Sequence, residues 1–219
     1  MNKKLIIFDL DGTLLNTIAD LAASTNYSLN ELGYPQHPES AYNMFVGNGI
    51  GKLLERALPE SARTPEILAK IKKMFLKHYD ENNINLSTVY KGIPSLLQTL
   101  QNEGYILAVA SNKYQKATEK LIKHFFSEIK FAAVFGQRDE VPVKPDPMVV
   151  NDIITITGIY NKSEILYIGD SGVDMQTAIN ADVDSCGVTW GFRSREELLS
   201  FSPNFIVDKP DEILSVLSK

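Results

Sequence analysis

Six short apolar runs constrain this 219-residue chain more than any other feature: "LIIFDL", "YILAVAS", "AAVFG", "EILYIGD", "CGVTW" and "FIVD". None alternates cleanly between apolar and polar residues. A strand with one face in water alternates with a period of two, whereas a strand covered on both faces reads as a continuous apolar run. The runs therefore predict interior strands that need helices on both sides. Helical patterns separate them. "IPSLLQTLQNEG" carries Pro94 near its start and Gly104 after its end, the usual asymmetry of helix termini. "YQKATEKLIKHFF" places Ala117, Leu121, Ile122 and Phe125 on one face, and "DMQTAINADV" and "PDEILSVL" are patterned similarly. Alternating strands and helices predict an α/β fold with a Rossmann-like parallel sheet.

Residues 16–85 break this rhythm and contain no convincing strand. "IADLAASTNYSLNELG" reads as a helix closed by Gly33, with Pro35 just beyond. "GIGKLLERAL" reads as another. "TPEILAKIKKMFLKHYDEN" supplies Thr64 as N-cap, Pro65 at the first helical position and an apolar stripe of Ile67, Leu68, Ile71, Met74, Phe75 and Tyr79. That stripe suits helix packing better than a binding face. The expected organisation is a catalytic α/β core from 1–15 and 86–219, with a helical cap at 16–85. An insertion after the first strand lies beside the carboxyl ends of the strands, where open α/β sheets bind ligands.

Composition narrows the partners. The chain is 44% hydrophobic and 22% charged, as for an ordinary globular domain, and carries a formal net charge of −5 without a long basic run. Nucleic acid and anionic membranes are therefore disfavoured partners. The one cysteine, Cys186, allows no intrachain disulfide and reads as a small core residue. "MNKKLIIF" imitates the start of a signal peptide, but Asp9 interrupts its apolar run. The expectation is a cytoplasmic monomer or homodimer.

Each strong strand ends in chemistry. The first ends in "DLDGT", with Asp9 and Asp11 one position apart; another in "SNK", Ser111 to Lys113; another in "GDSGVD", Asp170 and Asp174. Lys144 lies in "VPVKPDP". Taken singly, each has a plain structural reading: a turn for "DGT", a helix N-cap for "SN", a surface lysine, a turn with a helix cap. Together, in a parallel sheet, they converge on one edge. Two crowded carboxylates repel each other and call for a cation or a proton-transfer task.

This ordered set resembles the haloacid dehalogenase superfamily, whose hydrolases carry an Asp-x-Asp-Gly-Thr motif, a Ser or Thr ending the next core strand, a Lys and a late acidic pair. "VGNGIGKLLERAL", "SNK", "VKPDP", "GDSGVD" and "TWGFRSREEL" are similar to phosphoglycolate phosphatases and their near relatives. One departure is Asp182, where relatives usually carry Gly. The resemblance implies a haloacid dehalogenase fold and a Mg²⁺-dependent phosphatase acting on a small phosphorylated metabolite. It implies Asp9 as nucleophile, Asp11 as acid and base, Ser111 on the phosphate and Lys144 as charge balance. Mg²⁺ would be held by Asp9, Asp11 through its carbonyl, Asp170 and Asp174, the last either as ligand or as orienter. Thr13, Asn112 and the loop residues Gly47, Asn48 and Gly49 are expected to contact substrate. Other readings within the superfamily are a sugar phosphomutase and a pyrophosphatase; Asp11 argues against a haloacid dehalogenase proper and against a phosphonate-cleaving relative that uses a cap lysine, a role for which this cap offers Lys52. A non-catalytic phosphate-binding module would normally have lost a motif residue, and none is lost here.

Overall fold

The computed structural model describes residues 3–218. The apolar runs form the strands β1 (Leu5–Phe8), β4 (Ile106–Tyr114), β5 (Phe131–Gln137), β6 (Ile165–Gly169), β7 (Asp184–Val188) and β8 (Phe205–Val207). They assemble in the order β5-β4-β1-β6-β7-β8, every pair parallel. The chain leaves β1 toward β4 and β5, then crosses back to β6 on the other side of β1. That reversal opens a crevice at the carboxyl end of β1.

The absence of alternation has a direct cause. Ile6 and Phe8 of β1 face one apolar cluster, with helices α5 (Ile93–Asn102), α6 (Gln115–Phe125) and α10 (Glu212–Leu217). Leu5 and Ile7 face another, with α7 (Met148–Thr157) and α8 (Gly172–Ala181). All four are fully buried, so neither side of the strand tolerates a polar residue. A short helix, α9 (Arg195–Ser200), precedes β8.

Helices α1 (Ile18–Glu31), α2 (Tyr42–Phe45), α3 (Gly49–Ala57) and α4 (Pro65–Asn82) lie between β1 and β4. They share a third cluster that includes Leu21, Leu29, Tyr42, Leu53, Ile71, Phe75 and Tyr79. Thr64 caps α4, its hydroxyl accepting the Ile67 N–H, with Pro65 at the first position. This helical layer joins the sheet through a two-residue ladder, β2 (Leu15–Asn16) against β3 (Thr88–Val89), antiparallel. Asp20 secures the same junction by accepting hydrogen bonds from the Leu86 and Ser87 amides and the Ser87 hydroxyl.

One local feature differs from the helix N-cap reading, and one accounts for the departure at Asp182. β4 runs on through Ser111, Asn112 and Lys113 to Tyr114, with a register shift after Ala110, so α6 starts only at Gln115 and Ser111 is not its N-cap. Asp182 ends α8 in the left-handed region, φ 58° and ψ 44°, which explains why glycine suits this position. No helix of the described residues is long and apolar enough to cross a membrane.

Candidate active site

The carboxyl ends of β1, β4 and β6 bring Asp9, Ser111 and Asp170 to one cavity, which the helical layer covers with Leu21, Val46, Ile50, Leu53, Phe75 and Tyr79. The cavity is small, about 50 Å³. Asp9 leaves β1 with its amide donating to the Ile168 carbonyl of β6 at 2.9 Å. Its carboxylate accepts from Lys144 Nζ at 2.8 Å. The same ammonium donates to Asp174 Oδ1 at 2.7 Å, Ala110 O at 2.9 Å and Tyr167 OH at 3.0 Å. Burial works against the Lys144 ammonium, but Asp174 and Asp9 hold its pKa well above the usual lysine range.

Asp11 belongs to a separate pair. Its Oδ1 accepts from Thr17 Oγ1 at 2.6 Å, and its Oδ2 lies 3.0 Å from Lys113 Nζ. Lys113 also donates to Tyr79 OH of α4 at 2.9 Å. Burial opposes the charge on Lys113, yet Asp11 and Tyr79 raise its pKa above the ordinary lysine value.

Asp170 follows β6. Its Oδ2 accepts from the Phe192 amide at 2.7 Å, and Thr13 Oγ1 lies 3.4 Å from its Oδ1. A Cβ at Gly12 or at Gly191 would overlap the Asp170 carboxylate, so the glycine of "DGT" makes room for an acid on another strand. Asp174 closes a capping box at the start of α8: its Oδ2 accepts from Ser171 Oγ at 2.6 Å and Ser171 N at 3.1 Å.

Asp9, Asp170 and Asp174 each present a carboxylate oxygen within 4.8 Å of the others, and all three are buried. One ammonium, Lys144, pairs with two of the three, Asp9 and Asp174. The consequence is visible in the acids themselves. Burial first, and then Asp174 and Asp11, push Asp9 up to about 7 against the pull of Lys144, and burial with Asp174 and Asp9 pushes Asp170 well above the carboxylate range. Buried negative charge left short of compensation, presented by hard oxygen donors, fits a divalent cation. Asp174 accepts from Lys144 on one oxygen and from Ser171 on the other, which ties Lys144 to the start of α8 beside the other two acids.

The structure brings Asp9, Asp11, Ser111, Asn112, Lys144, Asp170, Asp174, Gly47 and Gly49 to the cavity wall. Ser111 Oγ accepts the Lys113 amide at 3.2 Å and keeps its own proton to donate. Three residues are placed differently from a substrate contact. Thr13 is fully buried against Asp170. The Asn112 side chain is occupied by backbone: it accepts from Lys144 N at 2.8 Å and donates to Lys144 O at 3.0 Å and Gly47 O at 3.1 Å. The Asn48 side chain turns to Arg56, whose Nη2 donates to its Oδ1 at 2.8 Å. Lys52 pairs with Glu55 in the open and does not line the cavity, which removes the support for phosphonate cleavage. Arg193 reaches across to the helical layer, donating to Asn43 O and, at 2.8 Å, to Val46 O. Sequence reasoning gave no role to Lys113, Thr17, Tyr79 or Tyr167; only the position of Lys113 directly after "SN" hinted at one. Cys186 is buried and its thiol is pushed up to about 12 by that burial, as befits a core residue.

Comparison with known proteins gives a consistent picture. The sequence profile of haloacid dehalogenase-like hydrolases matches residues 6–188. The phosphoglycolate phosphatase of Pasteurella multocida is 34% identical over 220 residues, covering 98% of each chain. That of Vibrio cholerae is 33% identical over 224 residues, covering 98% of this chain and 96% of its own. The crystal structure of a predicted phosphoglycolate phosphatase from Haemophilus somnus superposes with a TM-score of 0.91 at 32% identity, covering 99% of each chain.

Proposed function

Because the chain belongs to the haloacid dehalogenase-like hydrolase family and is a phosphatase, we propose that its substrate is 2-phosphoglycolate or a close analogue, hydrolysed through an aspartyl-phosphate on Asp9. The observation that carries this reading is the division of charge in the cavity. Asp9 pairs with Lys144, and Asp11, two residues on, pairs with a different ammonium, Lys113. Two carboxylates set in separate environments suit two roles.

Asp9 attacks phosphorus, and the bond to the leaving oxygen breaks as the new one forms. Asp11, oriented by Thr17, acts first in its protonated form and gives that proton to the departing alkoxide; the carboxylate left, which Lys113 pairs with, then takes a proton from the water that attacks the aspartyl-phosphate. Ser111 donates to a phosphate oxygen, and Lys144 offsets negative charge on the transferring group. Mg²⁺, held by Asp9, the Asp11 carbonyl and Asp170, would supply the remaining charge neutralisation at the phosphate. Asp174 holds Lys144 in place. We assign residues 16–85 the role of a cap that excludes bulk water, supported by their separate hydrophobic cluster and apolar contribution to the cavity. Such a wall has few partners for sugar hydroxyls, which speaks against the phosphomutase. The single, buried cysteine suits the cytoplasm.

The test is phosphate release by the purified protein with Mg²⁺ from 2-phosphoglycolate, pyrophosphate, a nucleotide and a sugar phosphate. The expected order places 2-phosphoglycolate first in kcat/KM, with Asp9→Asn at background for every substrate. A well-folded Asp9→Asn protein with near wild-type turnover would sink the mechanism. A preference for pyrophosphate or a sugar phosphate would sink the substrate.

A further inference from the structure

Three cations line the cavity, and they are not equivalent. Lys144 has four oxygen acceptors around its three N–H groups. Arg193 is spent on the carbonyls of Asn43 and Val46 and on Glu197, 3.5 Å away. Lys113 has two acceptors among the described residues, Asp11 Oδ2 and Tyr79 OH, for three N–H groups. Its side chain is 3% exposed, so bulk water is a poor third partner. The proposed chemistry sets Lys144 on the phosphoryl group and pairs this second buried ammonium with Asp11, but gives it no contact with substrate.

Its position defines the task. The phosphoryl group belongs to Asp9, Ser111 and Lys144, so the leaving oxygen lies at Asp11, the acid that protonates it. Lys113 touches Asp11 itself and, through Tyr79, the helical layer. The atoms next to the leaving oxygen therefore fall within reach of its free N–H. Everything else that the helical layer adds to this cavity wall is apolar side chain or loop backbone: Leu21, Val46, Ile50, Leu53, Phe75. A chamber whose helical-layer side is apolar and which holds one ammonium short of a partner takes a leaving group bearing a single anionic end. It penalises a polyhydroxylated one, whose hydroxyls would be left unpaired.

We propose that Lys113 recognises a carboxylate on the leaving group, one carbon from the ester oxygen, and that Tyr79 is the positioning residue that holds its ammonium there. The inference rests on the phosphomonoesterase reading above and makes the core strand β4, rather than the Asn48 loop, the source of discrimination. It also sets aside the simpler role of Lys113 as a counter-ion serving Asp11 alone, which would affect every substrate equally.

The experiment compares 2-phosphoglycolate with ethyl phosphate, which carries a methyl group where the carboxylate stands, on the full chain at saturating Mg²⁺. Wild-type protein is expected to prefer 2-phosphoglycolate. In Lys113→Met the ratio of the two kcat/KM values should fall by roughly a hundredfold, the scale of a lost charge-assisted hydrogen bond. In Tyr79→Phe, which removes only a hydroxyl, KM for 2-phosphoglycolate should rise several-fold while kcat and the ethyl phosphate KM change little. Equal losses on both substrates in Lys113→Met overturn the proposal. If that variant fails to fold, Tyr79→Phe decides: an unchanged KM for 2-phosphoglycolate overturns it as well. Wild-type protein that does not distinguish the two esters overturns the substrate reading instead, before any variant is considered. A wild-type preference for pyrophosphate assigns Lys113 to a phosphate end and overturns the carboxylate assignment.

Discussion

Replacing Asn112 with alanine separates two accounts of the same side chain. As a substrate ligand, Asn112 would contribute to KM and little to stability. Its geometry says otherwise. The amide makes three hydrogen bonds to backbone, two to Lys144 and one to Gly47, at 2.8–3.1 Å, and the residue is 5% exposed. Each such bond contributes about 1 kcal/mol net, and its buried partners lose more when left unsatisfied. Asn112→Ala should therefore destabilise the protein by about 3 kcal/mol. For a chain of this size that lowers Tm by about 6–12 °C. Lys144, freed from its clamp, should also shift relative to Asp9, costing roughly tenfold or more in kcat. Calorimetry and steady-state kinetics on the same preparation read both effects. An unchanged Tm with a raised KM would refute the clamp and return Asn112 to the substrate.

Two further outcomes follow from the site's electrostatics and from one strained turn. Asp9 is raised from 3.8 to about 7, so between those values the folded, metal-free protein keeps a proton that the unfolded chain has lost. That stabilisation is full below the unfolded pKa and disappears as pH rises through the folded one; chelated protein should lose Tm between pH 4 and pH 7.5, and Mg²⁺ should restore it at the upper end, whereas a flat profile would contradict the uncompensated charge. Asp182→Gly removes a side chain from a left-handed backbone and should gain up to about 1 kcal/mol, some 2–4 °C in Tm, with kcat unchanged; a fall in Tm would show that the Asp182 side chain stabilises the turn.

The strands were legible because burial on both faces writes an unbroken apolar run, and the acids of the site were legible because each follows such a run. What stayed hidden depends on pairings across long sequence separations. Asn112 is read by the backbone of residue 144, and Lys113 by an acid in the turn after β1 and a phenol on α4. Neither leaves a periodic trace. Ser111 resembled a helix N-cap because "SN" before a helical pattern is the usual cap signature; the register shift in β4 carried the strand past it. The β2–β3 ladder is two residues long on each side, too short to pattern. Asn48 looked suited to substrate among its glycines, but Arg56 on the following helix turn captures its amide oxygen.

Phe192 and Arg193 are consecutive, and they serve different parts of the molecule. The amide of the first fixes Asp170, while the guanidinium of the second grips α2 and the residue that follows it. This has a consequence for building chimeras. A helical layer transplanted from a relative at the chain crossings near β2 and β3 would arrive without its fastenings, because these belong to the host: Asn112, Lys113, Tyr114, Lys116 and Lys120 along the end of β4 and α6, and Arg193. Grafting the layer for a new leaving group thus requires carrying the 112–120 stretch and residue 193 with it, and carrying 193 means leaving the amide beside it where Asp170 needs it. The smallest exchangeable unit is discontinuous: one long segment, a second stretch from the end of β4 into α6, and a single residue far along the chain.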